Sequence, residues 1–284
     1  MPRFFTTNEI KHLCQQYGFN PSKQYGQNYL LNLEPIETMV AAAQLKKTDT
    51  VVEVGPGFGV LTFALAESAK KVIAFEIEKK LEPYWKKQIK EFQNIQIEWG
   101  NVLYQFKEQA KDFKKYKVVA NLPYQITSPI LKLFLEEVDN QPESMVLLVQ
   151  KEVAERICAK PGDLSVLAIA VQFFGEPEIV TQVLRHLFYP VPQVDSAIIK
   201  IENIGKNKFI KDINFSIPEF FRFVRAGFIN RRKLLQKNIL ALVGKENKPK
   251  IEEIWQEMDF DRNVRAQELG VEQWIKLFDL WKSV

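Results

Sequence analysis

From Val51 onward the chain alternates short β-branched apolar runs with stretches of helical period, and this limits the folds open to it. Val51–Val54, Val72–Glu76, Ile95–Trp99, Val118–Ala120 and Met145–Gln150 are apolar and short enough to be buried strands. Leu61–Ala69, Glu78–Lys90 and Pro129–Glu137 lie between them and read as helices. Strands buried on both faces and joined through helices form a parallel sheet with helices on its two sides, an α/β fold. Two more strands, Ile179–Leu184 and Ser196–Ile201, follow helical stretches at Val153–Ala159 and Leu164–Phe174. No convincing helix separates this pair, so an antiparallel hairpin is predicted at the sheet edge.

Two helices precede the alternation. The first opens on Thr6 and Glu9, which have capping-box spacing, and the second runs from Glu34 to about Lys46. Beyond the sheet, Glu202–Phe215 is polar and reads as a linker. Ser216 and Glu219 offer a second capping box at the start of an all-helical remainder. The predicted division is a larger domain at 1–204 and a smaller helical one at 205–284, a partition that 284 residues accommodate. Hydrophobic residues at 46% and charged residues at 26% exclude a disordered chain. No apolar run approaches the roughly 18 residues of a membrane span, and Met1–Asn8 lacks a signal-peptide core, so a cytoplasmic protein is expected. Two cysteines and two histidines make a structural zinc site implausible, and no bound metal is expected.

Charge is unevenly placed. The stretch 222–250 holds Arg222, Arg225, Arg231, Arg232, Lys233, Lys237, Lys245, Lys248 and Lys250 against Glu246 alone. Such a stretch suits a polyanion partner, although a solvated helix face would look the same.

The first run ends in Glu53-Val54-Gly55-Pro56-Gly57-Phe58-Gly59. Glycines at this turn let the backbone pass close to a nucleotide-like ligand at the carboxyl ends of the strands. Glu76 ends the second run, 21 residues after Gly55, where a carboxylate can accept from both hydroxyls of a ribose. A dinucleotide fingerprint requires a third glycine where this chain has Val60. Glycine at alternate positions resembles instead motif I of the class I S-adenosylmethionine methyltransferases.

The fourth run leads into Asn121-Leu122-Pro123-Tyr124. An exocyclic adenine amine is a poor nucleophile because its lone pair is delocalised into the ring. Accepting its N–H hydrogens on the Asn121 side-chain oxygen and a neighbouring carbonyl draws the nitrogen towards tetrahedral geometry. Pro123 stiffens the turn, and Tyr124 offers a face for an extruded base.

With these segments the sequence resembles the ribosomal small-subunit RNA adenine-N6,N6-dimethyltransferases over nearly its whole length. Further matches are Gly26-Gln27-Asn28-Tyr29-Leu30, Gln125-Ile126-Thr127-Ser128-Pro129, Gln150–Arg156, Leu164-Ser165-Val166, Phe188–Ser196 and Gly227–Lys233. The resemblance implies S-adenosylmethionine as cofactor, with Asn28 and Leu30 over its methionine end and Gly55 and Gly57 in the turn beneath it. Glu76 would take the ribose, Asn101 the adenine amine, and Asn121 would line the site. The catalytic set is Asn121, Leu122, Pro123 and Tyr124, with Phe188 sandwiching the target adenine against Tyr124. Two departures stand out: Asn101 occupies a position usually held by Asp, and the loop Lys160-Pro161-Gly162-Asp163 is short.

The implied substrate is small-subunit rRNA in an immature 30S-type particle, bound by a monomer. Arg222, Arg225, Arg231, Arg232, Lys233 and Lys237 would meet phosphates from helix faces. The large-subunit rRNA adenine methyltransferases of the macrolide-resistance type share the cofactor site. Leu122, Thr127-Ser128-Pro129 and the Asn230–Lys233 stretch match the small-subunit branch better. A non-catalytic assembly factor is the third reading, and intact Gly55, Glu76, Asn121 and Tyr124 weigh against it.

Overall fold

The structure is a computed structural model and describes residues 5–21, 26–205, 213 and 215–283. Most of the predicted linker, 206–212 and 214, lies outside the described residues. The chain forms two compact units, Met1–Ala154 with Glu176–Ile204, and Glu155–Gly175 with Gly205–Val284.

The first unit contains strands β1 (Tyr29–Leu30), β2 (Thr50–Val54), β3 (Lys71–Glu76), β4 (Ile95–Trp99), β5 (Lys117–Asn121), β6 (Met145–Gln150), β7 (Glu176–Val183), β8 (Phe188–Tyr189) and β9 (Ser196–Glu202). Seven of them form one sheet in the order β4-β3-β2-β5-β6-β9-β7. The first five in that order run parallel, and β9 is antiparallel to both its neighbours, β6 and β7. The buried strands β2, β3, β5 and β6 are rich in Val, Ile and Leu, as strands covered on both faces must be. The predicted antiparallel pair forms at the sheet edge. β9 sits between β6 and β7, and the chain linking β7 to β9 carries β8, which pairs with β1. Edge strand β7 is largely exposed and carries a bulge near Val180.

Helices α1 (Thr7–Gln16), α2 (Leu33–Ala43), α3 (Val60–Ser68), α4 (Glu82–Gln88), α5 (Val102–Gln109) and α6 (Thr127–Lys132) accompany this sheet. The capping box of α1 forms: Thr6 Oγ1 accepts from Glu9 N at 3.3 Å, and Glu9 Oε2 accepts from Thr6 N at 2.7 Å. Predicted helix Glu78–Lys90 is a 3₁₀ turn at Lys79–Leu81 followed by α4, with Pro83 in the first turn of α4, where its missing N–H is harmless.

The second unit resumes at Gly205, where the sequence placed the boundary, but it also takes in 155–175. The helix Val166–Phe174 packs with the C-terminal helices because its apolar end finds partners there. Phe173 stacks on Phe220 with centroids 5.1 Å apart, and Phe174 on Phe221 at 5.9 Å. The short loop at 160–163 belongs to the same unit, Gly162 N and Leu164 N both donating to Gln267 O. The capping box proposed at Ser216 is absent: Ser216 is the N-cap of the helix Ile217–Gly227 without a side-chain bond, and Glu219 pairs with Lys282 at 3.1 Å.

Gly227, at the end of that helix, lies against the buried Trp274 and Leu235. A methyl group there would overlap the indole ring of Trp274 and meet Leu235 Cδ1 at 3.0 Å. Alanine would otherwise gain about 1 kcal/mol of helix propensity. Overpacking against a fully buried indole costs about 1–3 kcal/mol and outweighs that gain. We therefore expect Gly227→Ala to lower the midpoint of thermal unfolding by several degrees; an unchanged or higher midpoint would show that Trp274 can yield.

Candidate active site

The order of the sheet reverses at β2, with β3 on one side and β5 on the other. Connections leave these strands in opposite directions, and the carboxyl ends open a crevice there. The turn after β2 forms one wall of the crevice and is pinned at successive peptides. Trp85 Nε1 donates to Gly57 O at 3.0 Å, Tyr84 Oη donates to Phe58 O at 2.7 Å, and Gly57 N donates to Glu76 Oε2 at 3.0 Å. Gly57 has φ +54°, and a Cβ there would meet Tyr29 Cε1 at 2.8 Å, so both backbone and space demand glycine. At Gly55 (φ +72°) no atom lies within 4 Å of a Cβ position. That side of the turn is open to a ligand.

The segment carrying Asn28 and Leu30 is held over this turn by aromatic packing. The ring of Phe58 meets Phe19, Tyr29 and Tyr84 at centroid distances of 5.7, 5.2 and 5.4 Å. Strand β1 pairs with β8, Leu30 opposite Phe188 and Tyr29 opposite Tyr189. Asn121, at the end of β5, donates its Nδ2 to Asn28 O at 3.1 Å.

One cavity collects most of the residues expected from the sequence: Asn28, Leu30, Gly55, Gly57, Glu76, Asn121, Leu122, Pro123 and Tyr124 all line it. Two do not. Asn101 is the N-cap of α5, its Oδ1 accepting from Leu103 N at 3.0 Å, and it stands outside the lining. Phe188 is 1% exposed in the hydrophobic core, so neither face of its ring is open to a base. Its backbone shapes the site instead, through the pairing with Leu30. Glu53, Ile36 and Ile77 also line the cavity and were not expected.

Glu53 stands out electrically. It is 2% exposed, its Oε2 has no hydrogen-bond partner, and burial pushes its pKa up to about 8. Glu76 is also raised by burial, although Glu78 N and Gly57 N donate to it. The signal for Glu53 was an acid in the otherwise apolar run Val51-Val52-Glu53-Val54.

This lining fits S-adenosylmethionine. Glu76 Oε1 and Oε2 each accept one backbone N–H and keep a lone pair for a ribose hydroxyl. The unpartnered Glu53 oxygen suits the positive charge of the methionyl end, and Gly55 leaves room for the ligand.

A second cavity adjoins the first and shares Gly26, Gln27, Asn28 and Tyr124 with it; Gln150 and Pro190-Val191-Pro192-Gln193 complete its wall. Tyr124 Oη and Ser196 Oγ are 2.7 Å apart, which fixes the tilt of the ring between the two cavities.

In the second unit all six predicted RNA-contacting residues are exposed. Arg222 and Arg225 lie on the helix Ile217–Gly227, and Lys237 on the helix Leu235–Val243. Arg231, Arg232 and Lys233 were expected on a helix but occupy the turn between these two. The turn forms because Asn238 Nδ2 donates to Gly227 O at 2.6 Å and Asn230 O at 3.1 Å, taking up carbonyls at the helix end.

Comparison with known proteins agrees with this geometry. The family model for ribosomal RNA adenine dimethylase matches residues 18–282. A protein of Dehalococcoides mccartyi named ribosomal RNA small subunit methyltransferase A is 41% identical over 95% of this chain and 91% of its own length. One of the same name from Clostridioides difficile is 38% identical over 99% and 97%. The crystal structure of a dimethyladenosine transferase from Plasmodium falciparum superposes with a TM-score of 0.77 at 27% identity, covering 89% of this chain and 97% of that one. A 23S rRNA methyltransferase, ErmE, superposes at 0.68 with 25% identity, over 89% and 99%. A crevice built for S-adenosylmethionine, an Asn-Leu-Pro-Tyr turn beside it and a match from residue 18 to residue 282 place this chain in the ribosomal RNA adenine dimethylase family.

Proposed function

We propose that this chain dimethylates N6 of two adjacent adenines in the 3′-terminal hairpin of 16S rRNA, acting as a cytoplasmic monomer on immature small-subunit particles. The observation that carries the reading is the fixed orientation of Asn121. Its Nδ2 is committed to Asn28 O, which leaves Oδ1 as the acceptor of a side chain that lines the cavity. Relatives named for the small subunit reach 38–41% identity, whereas the 23S enzyme stands at 25%.

Bound S-adenosylmethionine supplies a sulfonium methyl group as the electrophile. Glu76 holds the ribose, and Glu53 offsets positive charge at the methionyl end. Tyr124, braced by Ser196, gives the extruded adenine a face to stack on at the boundary between the two cavities. Asn121 Oδ1 accepts an N6–H, so the nitrogen lone pair leaves conjugation with the ring and points at the electrophile. This nitrogen would take the methyl group of the cofactor with the sulfur as leaving group, and the methylated amine would lose its proton to water. The same geometry serves the monomethylated base, which still has one N6–H to donate.

An interaction that strengthens as the nitrogen pyramidalises lowers turnover more than binding. Asn121→Ala is therefore expected to keep near-normal affinity for the particle. Single-turnover methyl transfer should fall by about two orders of magnitude or more, the scale of losing one preorganised polar contact. Wild-type rates in that variant would sink the mechanism. A wild type that bound the particle without methylating it would favour an assembly factor.

The high pKa of Glu53 gives a pH dependence. At pH 7 the carboxyl is mostly protonated in the free protein, since its pKa is about 8. A bound cation favours the ionised form, so binding releases a proton and affinity rises with pH up to about 8. Glu53→Gln should bind S-adenosylmethionine about tenfold or more weakly at pH 8, with much of the rise between pH 6 and 8 lost. Calorimetry in buffers of different ionisation enthalpy reads the proton directly. The same proton release in Glu53→Gln as in wild type would assign it elsewhere, Glu76 being the alternative.

A further inference from the structure

The turn between the helices Ile217–Gly227 and Leu235–Val243 is tied down at both ends. Asn238, buried at 4% exposure, holds the carbonyls of Gly227 and Asn230. Phe228 stacks on Trp274 with centroids 5.7 Å apart, Lys233 N donates to Asn230 O at 2.9 Å, and Leu235 N donates to Val264 O at 2.9 Å. On this frame Arg231, Arg232 and Lys233 are exposed, and beside them Ile229 is 71% exposed. Among the described residues of this unit the other exposed large apolar side chain, Leu242, reaches only 37%. A branched aliphatic group held in water by a fixed backbone, adjacent in sequence to three exposed cations, is complementary to a partner that is both anionic and locally apolar.

RNA is such a partner, since its base faces and sugar edges lie between phosphates. Resting on the rRNA reading above, we propose that Ile229 is an RNA-contacting residue. Its side chain packs on a base or sugar of small-subunit rRNA while Arg231, Arg232 and Lys233 take the flanking phosphates. The two kinds of contact are separable because only the charged one releases counterions. An anionic membrane also combines charge with apolar matter, but a single aliphatic side chain offers it little to bury.

The test uses the full chain and unmethylated small-subunit particles, with affinity measured across a salt series. Ile229→Ser should weaken binding about five- to tenfold at every salt concentration and leave the log–log slope unchanged. Ile229→Leu should restore it. Arg231→Gln combined with Arg232→Gln should flatten the slope, by up to about 2. Thermal midpoints of the Ile229 variants should equal that of the wild type, since the side chain is exposed. Wild-type affinity in Ile229→Ser, beside weakened binding in the arginine variant, would overturn the Ile229 contact and leave the rRNA reading standing. A wild type that failed to bind the particles would overturn both. Binding of the wild type to vesicles rich in phosphatidylserine, lost in Ile229→Ser while particle binding persisted, would assign the residue to a membrane instead.

Discussion

The hydrogen bond from Gly57 N to Glu76 Oε2 joins the turn after β2 to the end of β3, and the site is assembled around it. A carboxylate buried to 3% exposure is costly unless donors meet it, and here the donors are backbone N–H groups of the crevice itself. Meeting that need fixes the turn: Gly57 must present its N–H to the sheet, which forces its positive φ. Its missing Cβ then admits the ring of Tyr29. Tyr29 brings Asn28 with it, and Asn28 O orients Asn121. Glu76, the glycine turn and Asn121 are thus linked by a short chain of contacts within the first unit.

This linkage explains which parts were legible in the sequence. Glu76, Gly55, Gly57, Asn121 and Tyr124 sit at strand ends or in turns, where chain position alone determines the side-chain location once the sheet is known. Asn101 and Phe188 stand outside the cavity lining because their directions are tertiary facts. An Asn before a helix is drawn to cap it, and Asn101 does so. A Phe beside a two-residue strand goes where the core has room, and Phe188 goes inward. Glu53 was passed over because an acid in a buried strand reads as an anomaly until the cavity in front of it is seen. Arg231 to Lys233 favour helix by intrinsic propensity, but Asn238 sits downstream in sequence and its effect on the turn is invisible to periodicity.

Two cavities with a common wall suit a reaction that must run twice on one base. Gly26, Gln27, Asn28 and Tyr124 face both spaces. The segment that holds Asn121 in place therefore borders both cavities. A shift of Asn28 alters both at once.

The interleaved order of the two units bears on how the chain is made. Strand β9 completes the sheet by pairing with β6 and β7, yet it follows β6 only after the helices of 155–175 have been synthesised. During translation the sheet lacks this strand until residues beyond 202 leave the ribosome, while Phe173 and Phe174 await Phe220 and Phe221, which come later still. Excising residues 1–204 as a catalytic fragment would strand those two aromatic rings without their partners. Residues 155–175 go with the C-terminal helices, and a self-sufficient fragment has to be cut with that in view.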